Sequence, residues 1–214
     1  MHWSINTPLV IVLLLNLFML GVSRMRSLIY SAAAQGVILS ALPLLLEKRI
    51  DVMIIFVAAV TAAIKGLLIP QMLHKALRDA QIKREVEPLI GFLPTMLLGA
   101  LGTALSITFA AYLPMIQTRI AALIIPASFS TVLTGFLLLT TRYKAITQVI
   151  GYLILENGIY IFGILLLAAV PFLVELGILL DLFVGIFVVS IILNHINEAF
   201  SSLDTRQLTA LKES

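Results

Sequence analysis

Three ionisable residues stand in runs that otherwise read as lipid-embedded helix. Glu156 lies in "GYLILENGIYIF" (151–162), Lys65 in "AVTAAIKGLLIP" (59–70) and Asp181 in "ELGILLDLFVGIFVV" (175–189). A charge at hydrocarbon depth costs about 2.5–3.5 kcal/mol even on the mild insertion scale, so it is normally paired or used. Carboxylates in such places take up and release protons, and chains of acids and waters relay protons through membrane proteins. An ammonium beside a carboxylate neutralises it or joins the relay. The plainer reading is structural: Lys65 and Glu156 fix helix packing, and Asp181 bonds to a nearby Ser or Thr. Weaker candidates accompany them. Asn157 follows Glu156 directly, Gln35 sits inside an apolar run, and Glu175 stands at the edge of one. His74 and His195 close two runs and suit proton entry. Pro70 is expected to kink its helix close to Lys65.

The elements that must position these groups are membrane helices. The chain has 214 residues, 61% hydrophobic and 12% charged, with a mean hydropathy of +1.11. Soluble domains carry about 25% charged residues, so this is an integral membrane protein. It has no cysteine, which excludes disulfides, thiolate-bound iron–sulfur clusters and thiolate zinc sites. The three histidines, His2, His74 and His195, lie far apart. No metal or haem centre held by this chain alone is expected. The net charge of +3 is no nucleic-acid signal, because it reflects cations held at one membrane face.

A spanning helix needs about 20 mostly apolar residues. Seven runs qualify, at about 5–23, 28–46, 52–73, 89–113, 120–140, 146–169 and 173–195. They form one polytopic domain over 1–214, with a polar loop at 74–88 and a tail at 196–214. "MHWSINT" carries no Lys or Arg before the first run, which therefore reads as a retained span rather than a signal peptide. A β-barrel would alternate apolar and polar residues. With the N-terminus outside, ten of the 14 Lys and Arg face the cytoplasm and three face out, Lys65 being the remainder. The positive-inside rule then gives N-out and C-in, and a cytoplasmic tail. "YSAAAQG" (30–36) also echoes "YLILENG" (152–158), as two three-helix units joined by the fourth span would. Counting from the outer turns puts Lys65 and Glu156 at a similar depth, about 14 and 15 residues in, with Asp181 roughly 8 Å from that level at 1.5 Å per residue. If spans 3 and 6 are neighbours, Lys65 and Glu156 form an ion pair.

Four segments, "IKGLLIPQM" (64–72), "IGYLILENG" (150–158), "VELGILLDLFV" (174–184) and "LDTRQLTALK" (203–212), together resemble the hydrogenase-4 component E family. These are membrane subunits of formate hydrogenlyase-type and other group 4 membrane-bound nickel–iron hydrogenases. The resemblance covers essentially the whole chain, and its most specific part is the "LTALK" tail. The last three spans also resemble the small three-helix subunit of complex I and its counterpart in multisubunit cation/proton antiporters. Arg142, Gly151, Asn157, Asp181, Val184 and Gly185 match that pattern. Glu156 departs from it, because the pattern's acid lies where this chain has Leu153, about 4.5 Å away along the same helix face.

The resemblance implies a subunit with no redox centre or cofactor of its own, the nickel–iron and iron–sulfur centres residing in partner subunits. Those partners would be antiporter-like and quinone-module-like membrane subunits together with peripheral hydrogenase subunits, in a bacterial or archaeal cytoplasmic membrane. Glu156 and Asp181 would belong to a proton or cation path, and Lys65 would tune or join it. A multisubunit sodium/proton antiporter subunit and a purely structural spacer are the alternatives, while a stand-alone transporter fits poorly.

Overall fold

A computed structural model describes residues 3–46, 51–79, 86, 88–112 and 121–166. Among them the regular structure is helical, apart from isolated β-bridge positions at Arg24 and between Pro88 and Arg142. The order is α1 (Trp3–Gly21), α2 (Met25–Ser40), α3 (Leu42–Leu46), α4 (Val52–Ala63), a π-helical turn (Ile64–Leu68), α5 (Ile69–Asp79), α6 (Phe92–Tyr112), α7 (Ala121–Thr141) and α8 (Ala145–Leu166). Helices suit these runs because each backbone N–H and C=O is then satisfied within its own segment, as a bilayer demands.

Five stretches are long and apolar enough to cross a membrane: Met25–Leu46, Val52–Arg78, Phe92–Tyr112, Leu123–Thr141 and Ala145–Ile164. A shorter apolar helix covers Ile5–Gly21. These occupy the first six expected spans. The seventh, 173–195, and the tail lie outside the described residues, and with them Asp181, Glu175 and His195. Large apolar side chains face outward along the bundle, among them Leu14, Phe18, Phe56, Leu93 and Leu101. Water would penalise such a surface, whereas lipid does not. The chain is a multi-pass membrane protein.

The α7–α8 hairpin is the most closely packed unit. Gly135, Gly151 and Gly158 line the contact, where a Cβ at Gly151 would stand 2.8 Å from the Leu139 nitrogen and one at Gly158 would stand 3.0 Å from the Ser128 oxygen. Small residues of this kind let membrane helices touch backbone to backbone. The α1–α2 hairpin lies beside this pair, α1 against α7 and α2 against α8. Helix α6 covers α1 and α7, while α4, the π turn and α5 pack on α2.

Span 3 departs from its expected form at two places. Its helix continues past residue 73 to Asp79 because the polar stretch is amphipathic: Leu73, Ala76 and Leu77 are buried while Lys75 and Arg78 are exposed. Near Lys65 the helix widens, and the Ile69 N–H donates to the Ile64 carbonyl, five residues back. Pro70 offers no N–H and crowds the carbonyl of Gly66, four residues before it, so the ladder changes register in the preceding turn.

Three connections are stitched together at one end of the bundle. The Val86 N–H donates to the Ser23 carbonyl and the Leu89 N–H to that of Thr141, each at 2.8 Å. Arg142, fully buried, sends Nη2 to the Leu20 carbonyl at 2.6 Å and lies 4.9 Å over the Phe92 ring. Burial lowers the affinity of this guanidinium for its proton.

Candidate functional site

Lys65 and Glu156 meet. Nζ lies 2.8 Å from Oε1, with the two side chains 14% and 8% exposed. The same Nζ donates to Asn157 Oδ1 at 2.8 Å and lies 5.7 Å from the Tyr160 ring centre. The contact requires Lys65 to cross α2. Gly36 makes this possible, since a Cβ there would stand 2.8 Å from Lys65 Cβ. Gly66 in turn leaves room for Val37. From the other side, the close α7–α8 packing at Gly158 fixes the turn of α8 that presents Glu156 and Asn157.

The pair is the end of a longer polar chain. Asn157 Nδ2 donates to Gln35 Oε1 (3.4 Å), Gln35 Nε2 to Asn16 Oδ1 (2.9 Å) and Asn16 Nδ2 to Thr131 Oγ1 (2.8 Å). The Thr131 hydroxyl closes the series on the Ala127 carbonyl at 2.6 Å. Asn16, Gln35, Thr131, Asn157 and Glu156 are all buried. The chain links α1, α2, α7, α8 and the π turn. Lys65, Gln35, Thr131 and Asn157 stand within a turn of the midpoints of their helices, so the polar layer lies at the middle of the apolar zone.

Of the residues singled out by sequence, Lys65, Glu156, Asn157 and Gln35 are thus assembled in one network. His74 is elsewhere. Its Nδ1 hydrogen-bonds the Pro70 carbonyl at 2.7 Å and its ring lies 5.1 Å from that of Tyr30, leaving Nε2 buried without a partner among the described residues. Since the carbonyl can only accept, Nδ1 carries the hydrogen. Asn16 and Thr131 were missed. An asparagine in "LLLNLFML" (13–20) is a usable signal, because an amide there must find a partner. Thr131 gives none, since threonine can satisfy itself on the carbonyl four residues back, as it does here.

Chemically the layer couples one cation and one anion to three neutral amides. Ammonium and carboxylate exchange protons readily, whereas amides orient charge and do not. A recess between α2, α5 and α8, walled by Ala32, Ala33, Ile69, Pro70 and Leu153, opens onto Lys65 and Asn157. Lys65 is therefore approachable from that side. Among the described residues no three His, Asp or Glu side chains gather as metal ligands would.

No family model matches the chain, and no solved structure matches it. It is 33% identical over 193 residues to the uncharacterized protein Rv0085 of Mycobacterium tuberculosis, covering 88% of this chain and 87% of the other. It is 27% identical over 215 residues to hydrogenase-4 component E of Escherichia coli K12, covering 97% of each, and equally to that of Shigella flexneri. The chain belongs to the family that contains the mycobacterial protein, with hydrogenase-4 component E a distant homologue along nearly its whole length.

Proposed function

We propose that this chain is a non-redox membrane subunit of a hydrogenase-type, complex I-like assembly, and that it contributes buried ionisable groups to the proton or cation path. The observation that carries the reading is the Lys65–Glu156 pair at mid-membrane, 2.8 Å apart, in a homologue of hydrogenase-4 component E. A charge pair at that depth is costly unless it is used or fully compensated. Here Lys65 borders a small recess, so the cationic side of the pair is reachable without dismantling the bundle. Glu156 is the exchanging carboxylate, Lys65 its counter-charge, and Asp181 a second acid on the path. Positive residues face the cytoplasm, the N-terminus lies outside, and partner subunits hold the redox centres.

A second reading has its own support. Lys65, Glu156, Asn157, Gln35, Asn16 and Thr131 satisfy one another, as a layer that only registers helices would. Redox-driven proton translocation in sealed vesicles separates the two, comparing wild type with Glu156→Gln, Lys65→Met and Asp181→Asn after co-purification confirms assembly. Loss of translocation in an assembled complex supports the path. Unchanged pumping in all three variants makes the chain a spacer. Failure to recover any redox partner, with sodium/proton exchange retained, makes it an antiporter subunit.

A further inference from the structure

Two sides of helix α8 are taken. Gly151 and Gly158 lie against α7, and Asn157 meets α2 through Gln35. Glu156, Ile159 and Gly163 recur at i, i+3 and i+7 and so form a third side. Among the described helices α8 packs on α7 and α2. Toward its C-terminus the third side is open: Ile159 is 57% exposed, and a Cβ added at Gly163 would meet nothing within 4 Å. Helix α8 ends at Leu166, and only residues 167–172 separate it from the next apolar run, 173–195. Such a connection reaches about 20 Å at full extension, while packed helices lie about 8–10 Å apart. The run therefore returns beside α8 or beside a helix that touches α8. Its own sequence selects a face. Gly177, Asp181 and Gly185 recur at every fourth position, which sets a carboxyl group between two glycines on one side of a helix. An acid at hydrocarbon depth turns toward protein, and glycines let that side approach a neighbour closely. Within reach, α7 turns Phe129 and Phe136 outward and α2 turns Val37 outward, which offer nothing to an acid. The third side of α8 already carries one.

We infer that the run 173–195 closes the third side of α8, with its Gly177, Asp181 and Gly185 face seated on Glu156, Ile159 and Gly163. Counting 1.5 Å per residue from a turn at about residue 171, Asp181 then lies between the levels of Ile159 and Gly163, and Gly185 lies near the level of Glu156 and leaves it room. The two acids share one seam, roughly 8 Å apart along the helix axis. The functional part of the inference rests on the proposed ion path. It gives that path its walls between the two acids: α8 on one side and the returning run on the other, with no residue of α7 between them.

The chain has no cysteine, so paired cysteines report contacts without background. The full chain in lipid nanodiscs carries Ile159→Cys with either Val184→Cys or Phe183→Cys and is oxidised with copper phenanthroline. Val184 shares a helix face with Asp181, whereas Phe183, one residue away in depth, lies on the opposite face. A disulfide needs Cβ atoms about 3.5–4.5 Å apart, so the Val184 pair is expected to close about tenfold faster than the Phe183 pair. Gly163→Cys with Ile178→Cys should behave as the faster pair does. Equal rates for Val184 and Phe183 overturn the inference. So does faster closure of Val184→Cys with Leu101→Cys on α6 or Leu67→Cys on the π turn, whose side chains also face outward. A covalent dimer in place of the intramolecular bond overturns it as well, because a second copy then occupies this side of α8. Absence of any bond at Ile159→Cys and Gly163→Cys, in a chain that keeps its helical circular dichroism, has the same meaning. The readout requires no pumping. A closed seam in a protein whose vesicles do not translocate keeps the seam and removes the ion-path reading, while translocation without closure does the reverse.

Discussion

Removing Lys65 alone from the Lys65–Glu156 pair should cost more stability than removing both partners. The side chains are 14% and 8% exposed, so neither charge is well hydrated once its partner is gone. Lys65→Met leaves a carboxylate without a counter-charge and strips Asn157 Oδ1 of its donor. Removing one member of a buried pair costs about 3–5 kcal/mol, and the lower end applies because the recess admits some polar relaxation. Glu156→Gln is milder, about 1–2 kcal/mol, because an amide oxygen can still accept from the ammonium. The double variant holds no charge at all and should lose no more than about 2 kcal/mol, giving a coupling energy of at least about 2 kcal/mol between the two positions. The assay is unfolding of the purified chain in mixed micelles by increasing SDS, followed by circular dichroism, for the four members of the cycle. A coupling below about 0.5 kcal/mol, the error of additivity for independent sites, refutes the reasoning. It would mean that each charge is solvated on its own and that the short contact holds nothing together.

Other expectations follow from the same geometry. Gly36→Val places carbon where Lys65 Cβ now sits, 2.8 Å from an added Cβ, and should abolish coupled translocation as fully as Lys65→Met while the complex still assembles in pull-down. Gly158→Val drives a side chain into the Val132 nitrogen and the Ser128 carbonyl; a loss of about 1–3 kcal/mol, read in the same SDS titration, is expected. Arg142→Lys gives up the planar contact with Phe92 and the donor geometry toward Leu20. It should raise the rate of limited proteolysis at the 86–89 connection severalfold. His74→Asn keeps a donor for the Pro70 carbonyl and His74→Phe keeps the ring against Tyr30. If His74 feeds protons toward the pair, both variants fold normally and both slow translocation, and added imidazole restores part of the rate in the first.

Much of this arrangement was legible because bilayers leave few options. Runs of about 20 apolar residues fixed the helices, and counting residues from the turns put Lys65 and Glu156 level before any contact was known. The contact itself was not legible, because depth says nothing about azimuth: which face of α8 meets which face of α2 is decided by the packing of Gly151 and Gly158 of α8 against α7 at Gly135. Gln35 and Asn157, which the sequence echo aligns with each other, are hydrogen-bonded across α2 and α8. Asn16 stands out less in the sequence because it carries no charge. The π turn was half visible. Pro70 announced a disturbance, but a kink and a change of hydrogen-bond register look the same in sequence. The helix of span 3 outruns its apolar run because apolar continuity stops at His74, while helix formation needs only the stripe of Leu73, Ala76 and Leu77.

The charged residues do not by themselves explain why the pair forms where it does. Lys65 reaches α8 only because Gly36 leaves a gap on α2 and because Lys65 itself lies on the widened turn ahead of Pro70. Glu156 and Asn157 face that gap only because α8 lies backbone to backbone on α7. Three features without charge therefore specify the meeting of two that have it. Any one of them, changed alone, should separate the pair as surely as deleting a charge, and with less effect on helix formation, since Gly36 and Gly66 gain helix propensity when replaced by almost any residue but proline. A well-folded, helical, assembled variant at Gly36 that does not translocate would place the function in the contact itself. A Gly36 variant that pumps normally would place it in Glu156 alone, with Lys65 reduced to a helix spacer.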